Sequence, residues 1–457
     1  MKKFNKLSLI FLSVLVFSCA DEFVDTEPQL NLPGEQQITN INTATDALNG
    51  LYGGLQSASI YSGDYIFLTG LFADEYRHSG SFPSFAEVGS NDPSINNIDV
   101  QQIWTAHYSA IFRANRIIEL VPGLTNIDQS DRDIITGQAL GIRAQLYFNL
   151  VRMYGGVPLV TKAPLSSSEI VSTDAPRETT QVIFTQINSD LNQAISLMNG
   201  FDQSTYAFNN SAAKTLKAHV LFEQGQYPQA KPFIEDVLNS GNFDLATSYA
   251  SLFGDPANGT VANSTETIFA IKFTATDGNG MGFFFNNSRG GRFEVAPSSF
   301  LLSAFEPGDQ RRGLIVPTGT NFQIEKYSRP GDGSDDTYVY RFADVVLLYA
   351  EVLARENNFI DASFVLNIVR QRAGLSDVTL NASNFIDIIA HERFVELYAE
   401  GSSDRYNTTK RLGLLDNIIQ LKPNAVFNPV RQNLFPIPQQ EIERNPAISS
   451  ADQNPGY

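Results

Sequence analysis

One cysteine, one tryptophan and four histidines are all that a chain of 457 residues holds of these types. A single cysteine excludes an intrachain disulfide framework and any cysteine-rich zinc or iron–sulfur site. Basic residues are also scarce. Lys and Arg number 32 against 49 Asp and Glu, a formal charge of -17, and they form no basic run. That balance argues against nucleic acid as a partner and against docking through a basic surface onto anionic lipid. What remains is 42% hydrophobic, enough for a large core and too apolar for a disordered chain.

The one sustained apolar run lies at the N-terminus. Lys2, Lys3 and Lys6 precede an apolar stretch from Leu7 to Phe17, the pattern of a secretory signal over residues 1–18. Eleven helical residues rise roughly 16 Å, about half a bilayer, so the stretch is too short to span one. It ends at Ser18-Cys19, which resembles a bacterial lipoprotein signal: Cys19 would carry acyl chains, palmitate among them, and become the new N-terminus. The plainer alternative is a cleaved signal with an incidental cysteine. Acylation would remove an oxidisable thiol, and several acyl chains anchor stably where one does not. Ala20-Asp21-Glu22 resembles the acidic tags that send Bacteroidetes-type lipoproteins to the outer surface. Residues 19–40, with Pro28 and Pro33, read as a lipidated tether, and 41–457 as a single domain.

Within that domain the dominant signal is helical. Trp104, Tyr108, Ile111 and Ile118 fall near one face of a helix over about 98–121. A second is expected over 131–154, stopped by Gly155-Gly156, and a third near 179–198 with Thr179 or Thr180 as cap. From Asn209 to Gly241 two helices meet at a turn, the second opened by Pro228, in the manner of a tetratricopeptide unit. A related pair is expected from Tyr340 to Asn357 and from Asp361 to Ala373, closed by Gly374. Residues 56–97 and 254–335 are rich in Gly, Ser, Asn and aromatics, with little helical periodicity, and read as inserted functional loops. A short strand is expected within Val261–Phe273.

Catalytic patterns are thin. Ser211-Ala-Ala-Lys214 fits the S-x-x-K spacing, but it opens a packing helix and no K-T-G follows. Gly278-x-Gly280-x-Gly282 lacks the flanking strand and helix of a phosphate loop, and His391-Glu392 lacks the second His of a zincin. No cofactor is expected. Asp332, Ser334, Asp335 and Asp336 could offer oxygens to Ca2+ in a Gly-rich turn, although a solvated acidic turn is the simpler reading.

Six blocks then appear in order: IWTAHYSAIFRANRIIE (103–119), GQALGIRAQLYFNLVRMYGGVPLV (137–160), SAAKTLKAHVLFEQGQYPQA (211–230), RFADVVLLYAEVLARENN (341–358) with NIVRQRAGL (367–375), IAHERFVELYAEG (389–401) and LFPIPQQEIERNPAISSADQNPGY (434–457). Together they resemble the SusD/RagB family of outer-membrane nutrient-binding lipoproteins. After Gly401 the family continues H-R-W-F-D-L, where this chain reads Ser402-Ser403-Asp404-Arg405-Tyr406-Asn407. The resemblance implies a mainly α fold: about four tetratricopeptide-like pairs in a right-handed superhelical spine, with a loop-rich lobe carrying a few short strands. It also implies a binding protein and not an enzyme, a lid over a SusC-like TonB-dependent transporter that receives oligosaccharide. The alternatives are a peptide-binding member of the same family and, further off, a lipid-anchored hydrolase or a scaffolding adaptor.

A glycan site needs aromatic platforms beside polar rims. Trp104, inside a helix block, reads as core. The first candidate patch is therefore Asp74, Tyr76, Arg77, His78, Phe82, Phe85 and Asn91, with Pro83 fixing a turn. The second is Phe284, Asn286, Arg289 and Arg292, together with Phe283, Phe285 and Asn287; the three phenylalanines could equally form a buried strand.

Overall fold

The computed structural model describes residues 38–163, 174–202, 204–253 and 264–457. The signal over 1–18, Cys19 and the tether as far as residue 37 lie outside the described residues, as does 254–263 of the second insertion. The described part is mainly helical: α1 (Ile41–Leu55), α2 (Asp64–Phe72), α3 (Pro83–Gly89), α4 (Ile98–Leu120), α5 (Gln129–Tyr154), α6 (Thr180–Leu197), α7 (Asn210–Glu223), α8 (Tyr227–Leu238), α9 (Met281–Phe285), α10 (Ser299–Ala304), α11 (Phe342–Arg355), α12 (Phe359–Arg372), α13 (Phe385–Leu397), α14 (Asp404–Arg411), α15 (Leu415–Leu421) and α16 (Gln439–Arg444). Three two-stranded antiparallel pairs accompany them: β1 (Tyr76–His78) with β3 (Val295–Pro297), β2 (Thr267–Ile271) with β6 (Thr337–Arg341), and β4 (Ile315–Thr318) with β5 (Asn321–Ile324). Tyr340, expected to open a helix, is the penultimate residue of β6 instead, and α11 starts two residues later. No helix among the described residues is long and apolar enough to cross a membrane.

Most helices of the spine pack against their neighbours in sequence: α4 on α5, α5 on α6, α7 on α8 and α11 on α12. The central member is α5, buried continuously from Ile135 to Tyr154. Close approach explains its glycines. A Cβ on Gly137 would sit 2.5 Å from Met198, and one on Gly141 2.2 Å from the Phe208 ring. Arg143 is tolerated in this core because Asp190 accepts from it at 2.8 and 2.7 Å and Asn115 at 2.8 Å. At Gly155 (φ +76°) the helix ends. The C-terminal block takes up its free carbonyls: Phe435 N donates to Met153 O (2.9 Å) and the Asn454 amide to Tyr154 O (2.9 Å). Trp104 is buried here, edge-on to Tyr154 at 5.0 Å, with its indole N–H donating to Glu441 (3.2 Å).

A second kind of core joins spine to lobe. Buried Arg311, Arg341, Arg370 and Arg372 interlock with Asp309, Glu266, Glu392, Glu396 and Glu400. His391-Glu392 is part of this cluster and not of a metal site; Glu392 pairs with Arg311 at 2.5 Å. In the divergent stretch after Gly401 packing is kept. Asp404 joins Asp344 on Arg393, and Tyr406 is buried with its hydroxyl donating to Asn433 O (2.6 Å).

Candidate functional site

The first candidate stretch is not an open loop. Residues 64–72 form α2, eight of its nine residues buried, and Pro83 starts α3 at a tolerated first-turn position. Polar residues expected at a ligand rim turn inward. The Asp74 carboxylate accepts from Arg405 at 2.5 and 2.6 Å. Asn91, at φ +58°, donates to Phe72 O (2.6 Å). Phe85 is buried, and so is Tyr76, whose ring lies where a Cβ on Gly70 would come within 2.2 Å. In the second stretch the three phenylalanines form the helical turn α9 and not a strand; Phe285 is buried, Phe284 half-buried and Phe283 37% exposed. Asn286 is fully buried, with its amide 3.4 Å from Glu325.

The structure brings the two stretches together. Strand β1 pairs with β3 in the register Arg77↔Ala296, which sets residues 76–85 against 283–295. Phe82 and Phe284 meet with ring centroids 6.0 Å apart, Phe283 stands edge-on to Phe284 at 5.3 Å, and Arg292 covers the Phe82 ring at 4.2 Å. Beneath this ledge the buried Glu294 carboxylate accepts from Ser81 N (2.7 Å), Phe82 N (3.0 Å) and Arg292 Nε (2.7 Å). Burial alone would raise Glu294, but the bonds from Arg292 and the two amides hold it below the usual carboxylate range. Arg289 pairs with Glu325 at 2.8 Å at the far end of the ledge.

Beside the ledge lies a pocket of about 350 Å³. One wall is β1, with Asp74, Tyr76, Arg77 and His78; another is α3, with Ala86, Gly89 and Ser90. His78 Nε2 is 3.5 Å from Glu294, so pocket and ledge share that carboxylate. The remaining walls are Ser298–Phe300 at the start of α10 and Lys422–Asn424 after α15. Neither segment was singled out in the sequence, and nothing local marks Lys422 as a wall. Its ammonium donates to Leu71 O (2.6 Å), Phe72 O (3.1 Å) and Asn91 Oδ1 (2.7 Å), which closes the C-terminal end of α2. Burial lowers Lys422 to about 7, against the opposing pull of Asp74. Arg77 is exposed and donates to Asn321 Oδ1 at 2.7 Å.

The acidic turn at 332–336, for which Ca2+ is the weaker alternative, is used internally. Asp332 accepts from Ser334 N (2.9 Å), Asp335 from Arg329 N (2.7 Å), and Asp336 from Phe273 N (3.0 Å) and the Tyr206 hydroxyl (2.7 Å). These carboxylates face separate partners, and no group of three or more His, Cys, Asp or Glu among the described residues could hold a metal ion. The expectation of a solvated acidic turn is corrected in part: Asp335 and Asp336 are buried, and the turn is built from intrachain bonds.

A helical spine with a polar pocket and aromatic ledge on inserted segments defines a class, and comparison with known proteins names it. The SusD family profile matches residues 307–457, and the profile described as "Starch-binding associating with outer membrane" matches 22–221. A SusD-like protein of Formosa agariphila is 25% identical over 94% of this chain and 97% of its own. The chain belongs to the SusD/RagB family. The solved structure titled laminarin binding SusD-like protein shares the fold with a TM-score of 0.77 at 24% identity, covering 92% of this chain and all of that one. Surface glycan-binding protein A from Bacteroides thetaiotaomicron, solved with laminarihexaose, does so at 0.74 and 18%, covering 91% of this chain and all of that one.

Proposed function

We propose that this chain is an outer-membrane, cell-surface lipoprotein, anchored at Cys19, that binds oligosaccharide and hands it to a SusC-like TonB-dependent transporter. It acts by binding and not by catalysis. The observation that carries the reading is the ledge beside the pocket. Half-exposed rings of Phe82, Phe283 and Phe284 adjoin a cavity edged by Arg77, His78, Ser299 and Asn424. Sugar rings need that pairing, an apolar face for stacking and donors and acceptors for hydroxyl edges. Two structural neighbours titled as laminarin or glycan binders support the ligand class. On this reading Arg77, His78, Phe82, Phe284, Arg289 and Arg292 face ligand, while Asp74, Tyr76, Phe85, Asn91 and Asn286 hold the frame.

Calorimetric titration of the purified protein with a glycan panel that includes laminarihexaose tests this. Removing one stacked ring, by Phe82→Ala or Phe284→Ala, should weaken a bound glycan roughly tenfold, on the order of 1–2 kcal/mol. A folded protein that binds no glycan, or that releases cleavage products, would overturn the reading.

A further inference from the structure

We infer that the pocket selects saccharides carrying an anionic group, a carboxylate or a sulfate ester, and that Arg77 is the residue that reads it. This deepens the glycan-binding proposal and rests on it. The charges that line the pocket run against those of the chain. Overall the protein carries -17, yet the acidic and basic side chains in the pocket wall are one acid, Asp74, against Arg77 and Lys422. Asp74 is cancelled by its two-point bond to Arg405, which lies behind the wall. Glu294, the nearest further carboxylate, already serves Arg292 and two backbone amides. Arg77 therefore remains without an acidic counterpart, beside Lys422, which burial leaves only partly charged near neutral pH, in a concave site that focuses the field.

They differ in what they can do. Lys422 has its three donors committed to Leu71 O, Phe72 O and Asn91 Oδ1, so it contributes field and no contact. Arg77 is exposed, and no carboxylate among the described residues pairs with it. Its one bond runs from Nη2 to the neutral Asn321 amide at 2.7 Å, at the first residue of β5, which orients the guanidinium and leaves its charge and other N–H groups free. A planar fork held in this way matches the paired oxygens of a carboxylate or sulfate. A neutral glycan gains nothing from that charge.

The full chain is titrated with a tetragalacturonate, its carboxyl-reduced neutral counterpart, a sulfated galactan oligosaccharide and neutral laminarihexaose. At least one acidic ligand should bind about tenfold or more tighter than the neutral ones, and which one does so identifies the group. Arg77→Gln should remove that difference: acidic ligands weaken about tenfold and neutral ones by less, because the amide still donates to hydroxyls while the charge is gone. Arg77→Lys should recover only part of it, because charge is kept and the fork is lost. Both changes are at an exposed side chain, and circular dichroism checks the fold. Equal affinity for acidic and neutral saccharides, with Arg77→Gln silent, would overturn the anionic selection and leave glycan binding standing. Failure of the folded native protein to bind any saccharide would overturn both.

Discussion

Replacing Arg341 by Met tests whether the buried ion cluster holds spine and lobe together. Arg341 is 1% exposed. It donates to Glu266 (2.5 Å), to Glu396 (3.0 Å), to both oxygens of Glu400 (2.8 Å each) and to the Glu396 carbonyl (3.1 Å). Methionine fills much of the volume but removes the cation from three buried carboxylates. Removing one partner of a buried pair costs about 3–5 kcal/mol, since the other charge is left in a medium that solvates it poorly. Residual partners limit the loss. Arg372 still bridges Glu266 (3.1 Å) and Glu396 (2.5 Å), and Lys326 still holds Glu400 (2.6 Å). Unfolding entropy of roughly 2.1 cal/mol/K per residue gives about 1 kcal/mol per degree for 457 residues. The melting temperature followed by circular dichroism should therefore fall by roughly 3–5 °C. Adding Glu266→Gln to Arg341→Met should restore part of it, because the excess buried negative charge is gone while Arg372 keeps Glu396. A shift below about 1 °C for Arg341→Met, or a further loss in the double variant, would refute the reasoning.

Buried carboxylates should give opposite pH slopes, measured as the difference in urea midpoint between the native protein and Asp64→Asn, Glu75→Gln or Glu351→Gln across pH. Burial raises Asp64 and Glu75 to about 7, so the folded state keeps their protons and loses this stabilisation as pH rises through about 7. Burial would also raise Glu351, but Arg411 and Arg355 hold it down at about 2; its contribution is complete above about 4.5 and is lost as pH falls toward 2. A midpoint difference between native protein and Asp64→Asn that stays constant from pH 5 to pH 7 would contradict the first half of this. At the membrane, native protein extracted in mild detergent should co-purify with a TonB-dependent transporter, whereas Cys19→Ala should leave the membrane fraction. Native protein that runs alone, or a variant that stays membrane-bound, would count against the anchor and partner.

Helices α4 and α6 were legible from one wet face, whereas α5, buried from Ile135 to Tyr154, was legible from its length and its Gly155-Gly156 stop. Helices α4, α5 and α6 end within about two residues of where periodicity, the Thr179 cap and Gly155 put them, and β2 falls inside the expected strand. By contrast α2 was hidden because Asp64–Phe72 is buried nearly all round, and a helix with no polar face shows no period. The candidate site was half legible for a related reason. Loop composition pointed to segments that build the pocket and ledge proposed as the site, where Arg77, His78 and Phe82 lie. It could not separate them from Asp74 and Asn91, whose partners Arg405 and Lys422 lie 331 residues further on. Polar side chains in a Gly- and Ser-rich stretch look alike until tertiary contacts decide which are solvated.

The pocket's walls also set an order of events. They come from residues 74–90, 298–300 and 422–424, joined by β1 to β3 and by Lys422 reaching back 351 residues to Leu71. Contacts that distant must close long loops before they repay the lost entropy, so they form late. Under the proposed export, a chain threading outward from its N-terminus presents the first wall early and completes the proposed site only when the last arrives. On the proposed role, a partly translocated molecule has no complete pocket with which to hold cargo; the site comes into existence only where the finished fold does.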